Sequence, residues 1–163
     1  MTFSLAGRAI LVVDDMHAMR TIVRSLLNPL NPSSIIEAGD GQEALRLLES
    51  RRVDLVITDL NMSPMNGIEL TKELRRPNRR LNSSVAVLMI TGHRETEHVC
   101  AAIDAGVNDF LLKPLVPSEF QYRLEKIFMT PRPSAQSSNY KGPDRRRRSL
   151  PVRKDRRNQH VVI

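Results

Sequence analysis

The chain has 163 residues, of which 40% are hydrophobic, and its formal net charge is +7. This length allows one ordinary domain with an appendage, and the apolar fraction is sufficient for a real core. No stretch approaches the roughly 18 uncharged apolar residues of a membrane span, no secretory signal is visible, and Cys100 has no second cysteine with which to form a disulfide, so we expect a cytoplasmic protein.

Strands and helices are predicted to alternate through about residue 128, which favours βαβ units and a parallel sheet. The strand segments are near-continuous apolar runs, as is typical when helices cover both faces of the sheet. The predicted strands are residues 9–13, 34–37, 53–58, 85–90 and 109–112.

Apolar residues at helical spacing lie between and after these strands and predict five helices. The marker residues are Met19, Ile22, Val23, Leu26 and Leu27, then Ala44, Leu45 and Leu48, then Ile68, Leu70 and Leu74, then Val99, Ala102 and Ile103, then Phe120, Leu124, Ile127 and Phe128. Gly106 is predicted to end the fourth helix, and Ser118 to be the N-cap of the fifth. Five strands and five helices in about 120 residues predict an α/β, flavodoxin-like fold.

Polar side chains stand where four of the apolar runs end. Asp14 and Asp15 follow the first run, Asp59 follows the third, Thr91 the fourth and Lys113 the fifth. If the runs are parallel strands, these groups emerge at one edge of the sheet, where open α/β sheets bind ligands. The sequence therefore predicts one crevice with three carboxylates, a hydroxyl and an ammonium.

This set of groups suits a divalent cation beside a phosphoryl group. Two carboxylates about 5 Å apart repel by roughly 3 kcal/mol at an effective dielectric constant near 20, so three of them favour a bound cation. Oxygen ligands favour Mg²⁺ over softer metals. Asp59 is then a candidate nucleophile, Lys113 a cation for the phosphoryl oxygens, and Thr91 a hydroxyl that bonds to them only in the modified state.

These residues occur within a series of short motifs that together resemble a known family. Over roughly residues 6–128 the chain resembles response-regulator receiver domains of two-component signalling, which have the CheY-like fold with strand order 2-1-3-4-5. The motifs are Leu-Val-Val-Asp-Asp at 11–15, Glu-Ala-Gly-Asp-Gly at 37–41, Asp-Leu-Asn-Met at 59–62 with Met65 and Gly67, Thr91-Gly92, Ala105-Gly106, Asn-Asp-Phe at 108–110, and Lys113-Pro114.

The resemblance implies a phosphoacceptor and a magnesium site. Asp59 is expected to accept a phosphoryl group from a histidine kinase or a phosphotransfer protein. Asp15, Asp59 and the backbone carbonyl of Asn61 are expected to bind Mg²⁺ directly, and Asp14 through water. One departure affects the acceptor loop: the family usually has proline directly after the methionine, whereas here Ser63 is there and Pro64 follows.

The resemblance also implies a conformational switch. Thr91 and Lys113 are expected to grip the phosphoryl group, and Phe110 occupies the position of the aromatic switch residue. The Lys113–Pro114 bond is cis in the family. Phosphorylation would change partner affinity at the surface of helix 4, strand 5 and helix 5, about residues 95–128, as in stand-alone, chemotaxis-type bacterial regulators.

Simpler interpretations of these residues remain open. An acidic pair after a strand also suits a helix amino terminus, and His17 and His93, beside the expected site, either tune the phosphoryl lifetime or are ordinary solvent-facing residues. A phosphatase with an aspartate nucleophile typically needs an acid two residues later, where this chain has Asn61. We therefore expect a signalling protein with slow self-dephosphorylation and not an enzyme.

The high net charge belongs to the carboxyl-terminal part of the chain. Residues 129–163 carry ten basic and two acidic residues, and Arg145 to Arg148 form an uninterrupted run. We expect a disordered Pro/Ser linker followed by an arginine-rich tail. The tail suits nucleic acid, as in an alternative function where the receiver gates a nucleic-acid-binding tail. It also suits an acidic protein patch, anionic lipid, the acidic crevice of its own domain, or no dedicated partner.

Overall fold

Five parallel strands with helices on both faces form the body of the protein in a computed structural model that describes residues 2–79, 81–92 and 96–145. The strands are β1 (Ala9–Val13), β2 (Ser34–Ala38), β3 (Leu55–Asp59), β4 (Ala86–Thr91) and β5 (Asp109–Leu112). The helices are α1 (His17–Leu27), α2 (Gly41–Ser50), α3 (Gly67–Leu74), α4 (Thr96–Ala105) and α5 (Pro117–Met129). Two short strands follow α5, namely β6 (Ser134–Ser137) and β7 (Tyr140–Pro143).

The strand order β2-β1-β3-β4-β5 confirms the predicted flavodoxin-like sheet. Side chains along β1 alternate between two cores. Ile10 and Val12 belong to a cluster that includes buried residues of α1 and α5, whereas Leu11 and Val13 belong to a cluster with α2 and α3. Because both faces of the central strands are covered, an uninterrupted apolar run is the pattern that such a strand requires.

The predicted element boundaries agree closely with the structure, with differences that bear on the site and on α5. β3 ends on Asp59 and β4 on Thr91, so each of these side chains belongs to the last residue of its strand. Gly106 follows the end of α4, as predicted, with a φ of 102°. The prediction that Ser118 caps α5 is wrong, because α5 begins at Pro117 and its N-cap makes no side-chain hydrogen bond. Proline suits the first helical position, where it leaves no N–H group unsatisfied.

The prediction that residues 129–163 are disordered is wrong for residues 134–143, where β6 and β7 pair as an antiparallel hairpin. The amide of Lys141 donates a hydrogen bond to the carbonyl oxygen of Arg75 at 2.8 Å, and Tyr140 is only 6% exposed. The hairpin segment has few apolar residues. The favourable free energy of burying surface when the hairpin docks on the domain offsets the entropic cost of ordering it. Residues 146–163 lie outside the described residues, so the disorder expected there stays a prediction.

Arg75, in the turn after α3, is buried beneath this hairpin with 1% exposure. Its guanidinium donates to the carbonyl oxygen of Gly106 at 2.9 and 3.1 Å, to that of Ser83 at 3.2 Å, and to Oδ1 of Asn108 at 3.1 Å. Burial lowers the pKa of Arg75 to about 10, and the neighbouring Tyr140 partly opposes that shift. Arg75 therefore stays charged at neutral pH and joins the α4–β5 turn to the hairpin.

Candidate functional site

Three carboxylates meet at the carboxyl edge of the sheet. β1 and β3 are parallel neighbours, with Val13 opposite Thr58, so Asp14 and Asp15 emerge beside Asp59. Ligand oxygens of the three acids lie within 4.8 Å of one another. The predicted convergence of acids that are distant in sequence is therefore confirmed.

Lys113 brings a cation to the same crevice from the end of β5. Its Nζ lies 3.2 Å from Oδ1 of Asp59 and 3.9 Å from Oδ2 of Asp14. The two aspartate side chains are 9% and 6% exposed, whereas that of Lys113 is 26% exposed. Among the described residues, one ammonium faces three carboxylates here, so this part of the crevice has a net negative charge that favours a further cation.

The surroundings of Asp14 affect its ionisation. Burial raises the pKa of Asp14, and repulsion from Asp59 and Asp15 adds to the rise. A hydrogen bond from the amide of Met16 to Oδ1 at 2.9 Å and the charge of Lys113 oppose it. Asp14 is therefore held by the backbone of the turn after β1, while Asp15 is exposed.

The remaining predicted site residues lie on the neighbouring elements. Thr91 is buried at the end of β4, and its carbonyl oxygen accepts a hydrogen bond from the amide of Lys113 at 2.8 Å. Phe110 is half-buried in β5, opposite Met89 of β4, and packs against the core cluster on the α2 and α3 face. Asn61 is exposed in the loop that leads from β3 to α3.

The loop after Asp59 returns closely over the end of β3. The amide of Gly67 donates to the carbonyl oxygen of Leu60 at 2.9 Å, and a Cβ at Gly67 would overlap the carbonyl oxygen of Asp59. The Ser63–Pro64 bond is cis, as is the Lys113–Pro114 bond expected from the resemblance. Gly67 stood in a recognised motif, but its tight contact with the backbone of Asp59 was not predicted.

An ion-pair network behind the crevice was also missed from sequence. Arg20 donates to the carbonyl oxygen of Asp14 at 2.7 Å and pairs with Glu37 at 3.1 Å. Arg24 pairs with the other oxygen of Glu37 at 2.7 Å, and these hydrogen bonds lower the pKa of Glu37. The signal available in the sequence was the pair of arginines one helical turn apart in α1.

The two histidines beside the expected site differ in what the structure describes. Nδ1 of His17 lies 3.2 Å from a terminal nitrogen of Arg20 at the exposed start of α1, whereas His93 lies outside the described residues.

In the described ranges, no helix is both long and apolar enough to cross a bilayer.

A family model for the response regulator receiver domain matches residues 10–125. The chain is 40% identical over 119 residues to chemotaxis protein CheY-3 of Vibrio cholerae serotype O1, covering 73% of this chain and 90% of that protein. It is 38% identical over 119 residues to chemotaxis protein CheY of Pseudomonas aeruginosa, with coverage of 73% and 94%. The family match ends before the β6–β7 hairpin begins.

Solved structures show the same fold. Chemotaxis protein CheY4 of Vibrio cholerae superposes with a TM-score of 0.69 at 28% identity, covering 76% of this chain and 100% of that one. The receiver domain of a sensor histidine kinase of Pseudomonas aeruginosa, whose structure has a magnesium ion coordinated in its active site cleft, gives a TM-score of 0.65 at 26% identity, with coverage of 74% and 97%.

Proposed function

Because the chain belongs to the response regulator receiver domain family, we propose that Asp59 is its phosphoacceptor and that a histidine kinase or a phosphotransfer protein supplies the phosphoryl group. The chain contains a receiver domain of two-component signalling, and its acidic crevice fits a phosphoacceptor site. The observation that carries the assignment of Asp59 is the position of its Oδ1, 3.2 Å from the Nζ of Lys113 and within a cluster of acids.

Transfer to Asp59 is a displacement at phosphorus. An Asp59 carboxylate oxygen forms the new P–O bond while the P–N bond of the donor phosphohistidine breaks, and the imidazole leaves with the electron pair and takes up a proton. Lys113, already beside the carboxylate, places a positive charge where the phosphoryl oxygens arrive. The burial of Asp59 limits the water available for hydrolysis of the product.

The donor atoms of the crevice fit Mg²⁺. In the part of the chain that the structure describes, the clustered acids offer carboxylate oxygens, carry three negative charges beside the ammonium of Lys113, and lie close enough to share one ion. Asp15, Asp59 and the backbone carbonyl of Asn61 would hold the ion directly, and Asp14 would hold it through water. When bound, Mg²⁺ neutralises charge on the incoming phosphoryl group.

The modified state differs from the free state by new contacts on β4 and β5. A phosphoryl oxygen on Asp59 gives the hydroxyl of Thr91 a partner that exists only after transfer, which is the differential contact that a switch requires. Phe110, half-buried in the next strand, follows that movement and changes the surface of α4, β5 and α5. A partner protein reads this surface, and no turnover beyond slow self-dephosphorylation is expected because Asn61 lacks an acidic group.

Phosphorylation with acetyl phosphate and Mg²⁺ tests this function. The wild-type chain gains one phosphoryl group, measured by intact-protein mass spectrometry, and Asp59→Asn abolishes the gain because the amide is not a nucleophile. Asp104→Asn, an exposed aspartate near the end of α4, is the matched control and leaves labelling unchanged. Undiminished labelling of Asp59→Asn contradicts the assignment.

A further inference from the structure

A polar cleft of about 540 Å³ lies between the β6–β7 hairpin and the amino-terminal edge of the sheet. Asp54, just before β3, and Asn108, just before β5, line it. The acidic crevice lies at the opposite edge, roughly 16 Å away over a five-residue strand. The cleft is therefore separate from the phosphoacceptor site.

Most of the charged side chains that line this cleft are cationic. Among the described residues, Arg8, Arg52, Arg132 and Lys141 line it together with one carboxylate, that of Asp54. Oδ2 of Asp54 is already bound to a backbone amide at 2.8 Å. Within the ranges that the structure describes, none of the four cations forms an ion pair with an acid. Four like charges thus converge on one concave space with little compensation, which favours an anionic occupant.

Two of these cations follow α5 in the chain, and one of them, Lys141, reaches the cleft as part of the docked hairpin. Arg8 and Arg52 belong to the receiver domain, whereas Arg132 and Lys141 belong to the segment after α5. The amide of Lys141 bonds to the carbonyl oxygen of the buried Arg75. The complete basic cleft therefore exists only when the hairpin is docked. An anion in the cleft would contact the receiver domain and the segment after α5 at the same time.

The aromatic group beside the cleft is already engaged. The guanidinium of Arg8 lies 4.1 Å from the centroid of the Phe128 ring, and that ring stacks on Phe3 with the centroids 6.4 Å apart. Recognition of a nucleobase usually employs a free aromatic face. The cleft instead offers cationic groups and the exposed Ser84, which suit phosphate oxygens.

We propose that this cleft binds a small polyanion carrying two or more phosphate groups, held by Arg8 and Arg52 on one side and by Arg132 and Lys141 on the other. The cleft volume lies within the roughly 300–1,000 Å³ of small-molecule sites. Since the ligand binds only the docked hairpin, its binding stabilises that docking.

The proposal is tested by calorimetric titration of the whole chain with inorganic tripolyphosphate. A salt concentration of about 0.15 M screens nonspecific attraction of the anion to surface charges. The variant R52Q/K141Q removes two cleft charges, and the matched control R156Q/R157Q removes two charges from the tail. We expect the Kd to rise at least about tenfold in the first variant, since charge-assisted contacts are lost, and less than about twofold in the control. Circular dichroism checks that both variants fold.

Hydrogen exchange at the amide of Lys141 gives a second measurement. Binding of tripolyphosphate to the tail alone would leave this exchange rate unchanged. At a free tripolyphosphate concentration of about ten times the Kd, the amide of Lys141 should exchange about tenfold more slowly in the wild-type chain. A larger loss of affinity in R156Q/R157Q than in R52Q/K141Q, unchanged exchange at Lys141, or no binding at this salt concentration would each overturn the proposal.

Discussion

The Nζ of Lys113 and Oδ1 of Asp59 lie 3.2 Å apart, although 54 positions separate the two residues in the chain. The contact depends on the order of the sheet, in which β3 and β5 flank β4 and all three strands end at the same edge. The ammonium therefore lies beside the carboxylates that could hold a metal ion, and beside the Asp59 oxygen that we propose accepts the phosphoryl group. We therefore expect Lys113 to compete with the metal ion for these carboxylates and, once phosphorylation occurs, to bind the phosphoryl oxygens.

Replacing Lys113 by methionine should separate these two effects. The Lys113→Met variant loses a cation beside the acids, so we expect about a threefold to tenfold tighter Kd for Mg²⁺, together with slower phosphorylation by acetyl phosphate. Lys126→Met, which removes an ammonium 3.4 Å from Asp109, is the control. Calorimetry and mass spectrometry provide the two measurements, and weaker Mg²⁺ binding in Lys113→Met would contradict the prediction.

Gly67 should tolerate no side chain. In Gly67→Ala the new Cβ would overlap the carbonyl oxygen of Asp59 and approach Cε of Met89 at 3.2 Å. We expect a loss of about 1–3 kcal/mol in the free energy of unfolding by urea, because a crowded backbone must shift, and weaker Mg²⁺ binding. In Gly39→Ala the nearest atom, Oε2 of Glu43, is at 3.5 Å, so this control should lose little stability. Equal stability of the two variants would refute the steric argument.

Gly142 should be required for docking of the hairpin. A Cβ at this position would overlap Cδ of Arg75 and lie 2.8 Å from the hydroxyl of Tyr140. In Gly142→Ala we expect the amide of Lys141 to exchange at least about tenfold faster, while the central strands keep their protection. Gly92→Ala is the control, since a Cβ there has no atom of the described residues within 4 Å. Unchanged exchange at Lys141 would show that the hairpin accommodates the methyl group.

Glu37 should stabilise the fold in a pH-dependent manner. Its hydrogen bond with Arg24, the largest cause, and that with Arg20 lower its pKa below the ordinary value of 4.5. The charged form is favoured in the folded state, so this stabilisation is present above pH 4.5 and is lost as the pH falls through the lowered pKa. Urea unfolding should show Glu37→Gln less stable by about 0.5–1 kcal/mol at pH 7, with the difference shrinking below pH 4.5.

The control for this prediction is Glu49→Gln at the exposed end of α2, where the carboxylate has no ion pair among the described residues. Its stability should match that of the wild type at both pH values. A deficit in Glu37→Gln that persists unchanged at low pH would assign the loss to packing of the side chain and not to its charge.

The sequence by itself determined the fold class and the chemistry of the acidic edge. Apolar runs and helical spacing are local patterns, and the burial of both sheet faces leaves few ways to arrange them. The positions of Asp14, Asp59 and Lys113 at the ends of apolar runs then placed them on one edge, because parallel strands share their direction. The N-cap of α5 was predicted wrongly because serine commonly caps helices, whereas this helix already begins at Pro117 and Ser118 lies inside it.

Only the tertiary structure decided the contacts between segments that show no local pattern. Nothing in the neighbourhood of Arg75 marked it as a buried cation, and its partners Ser83, Gly106 and Asn108 are small or polar residues with no apolar periodicity. The low apolar content of the hairpin by itself predicts disorder. Its order depends on a few long-range polar contacts and one buried ring, whose free energy becomes available only after the domain has folded.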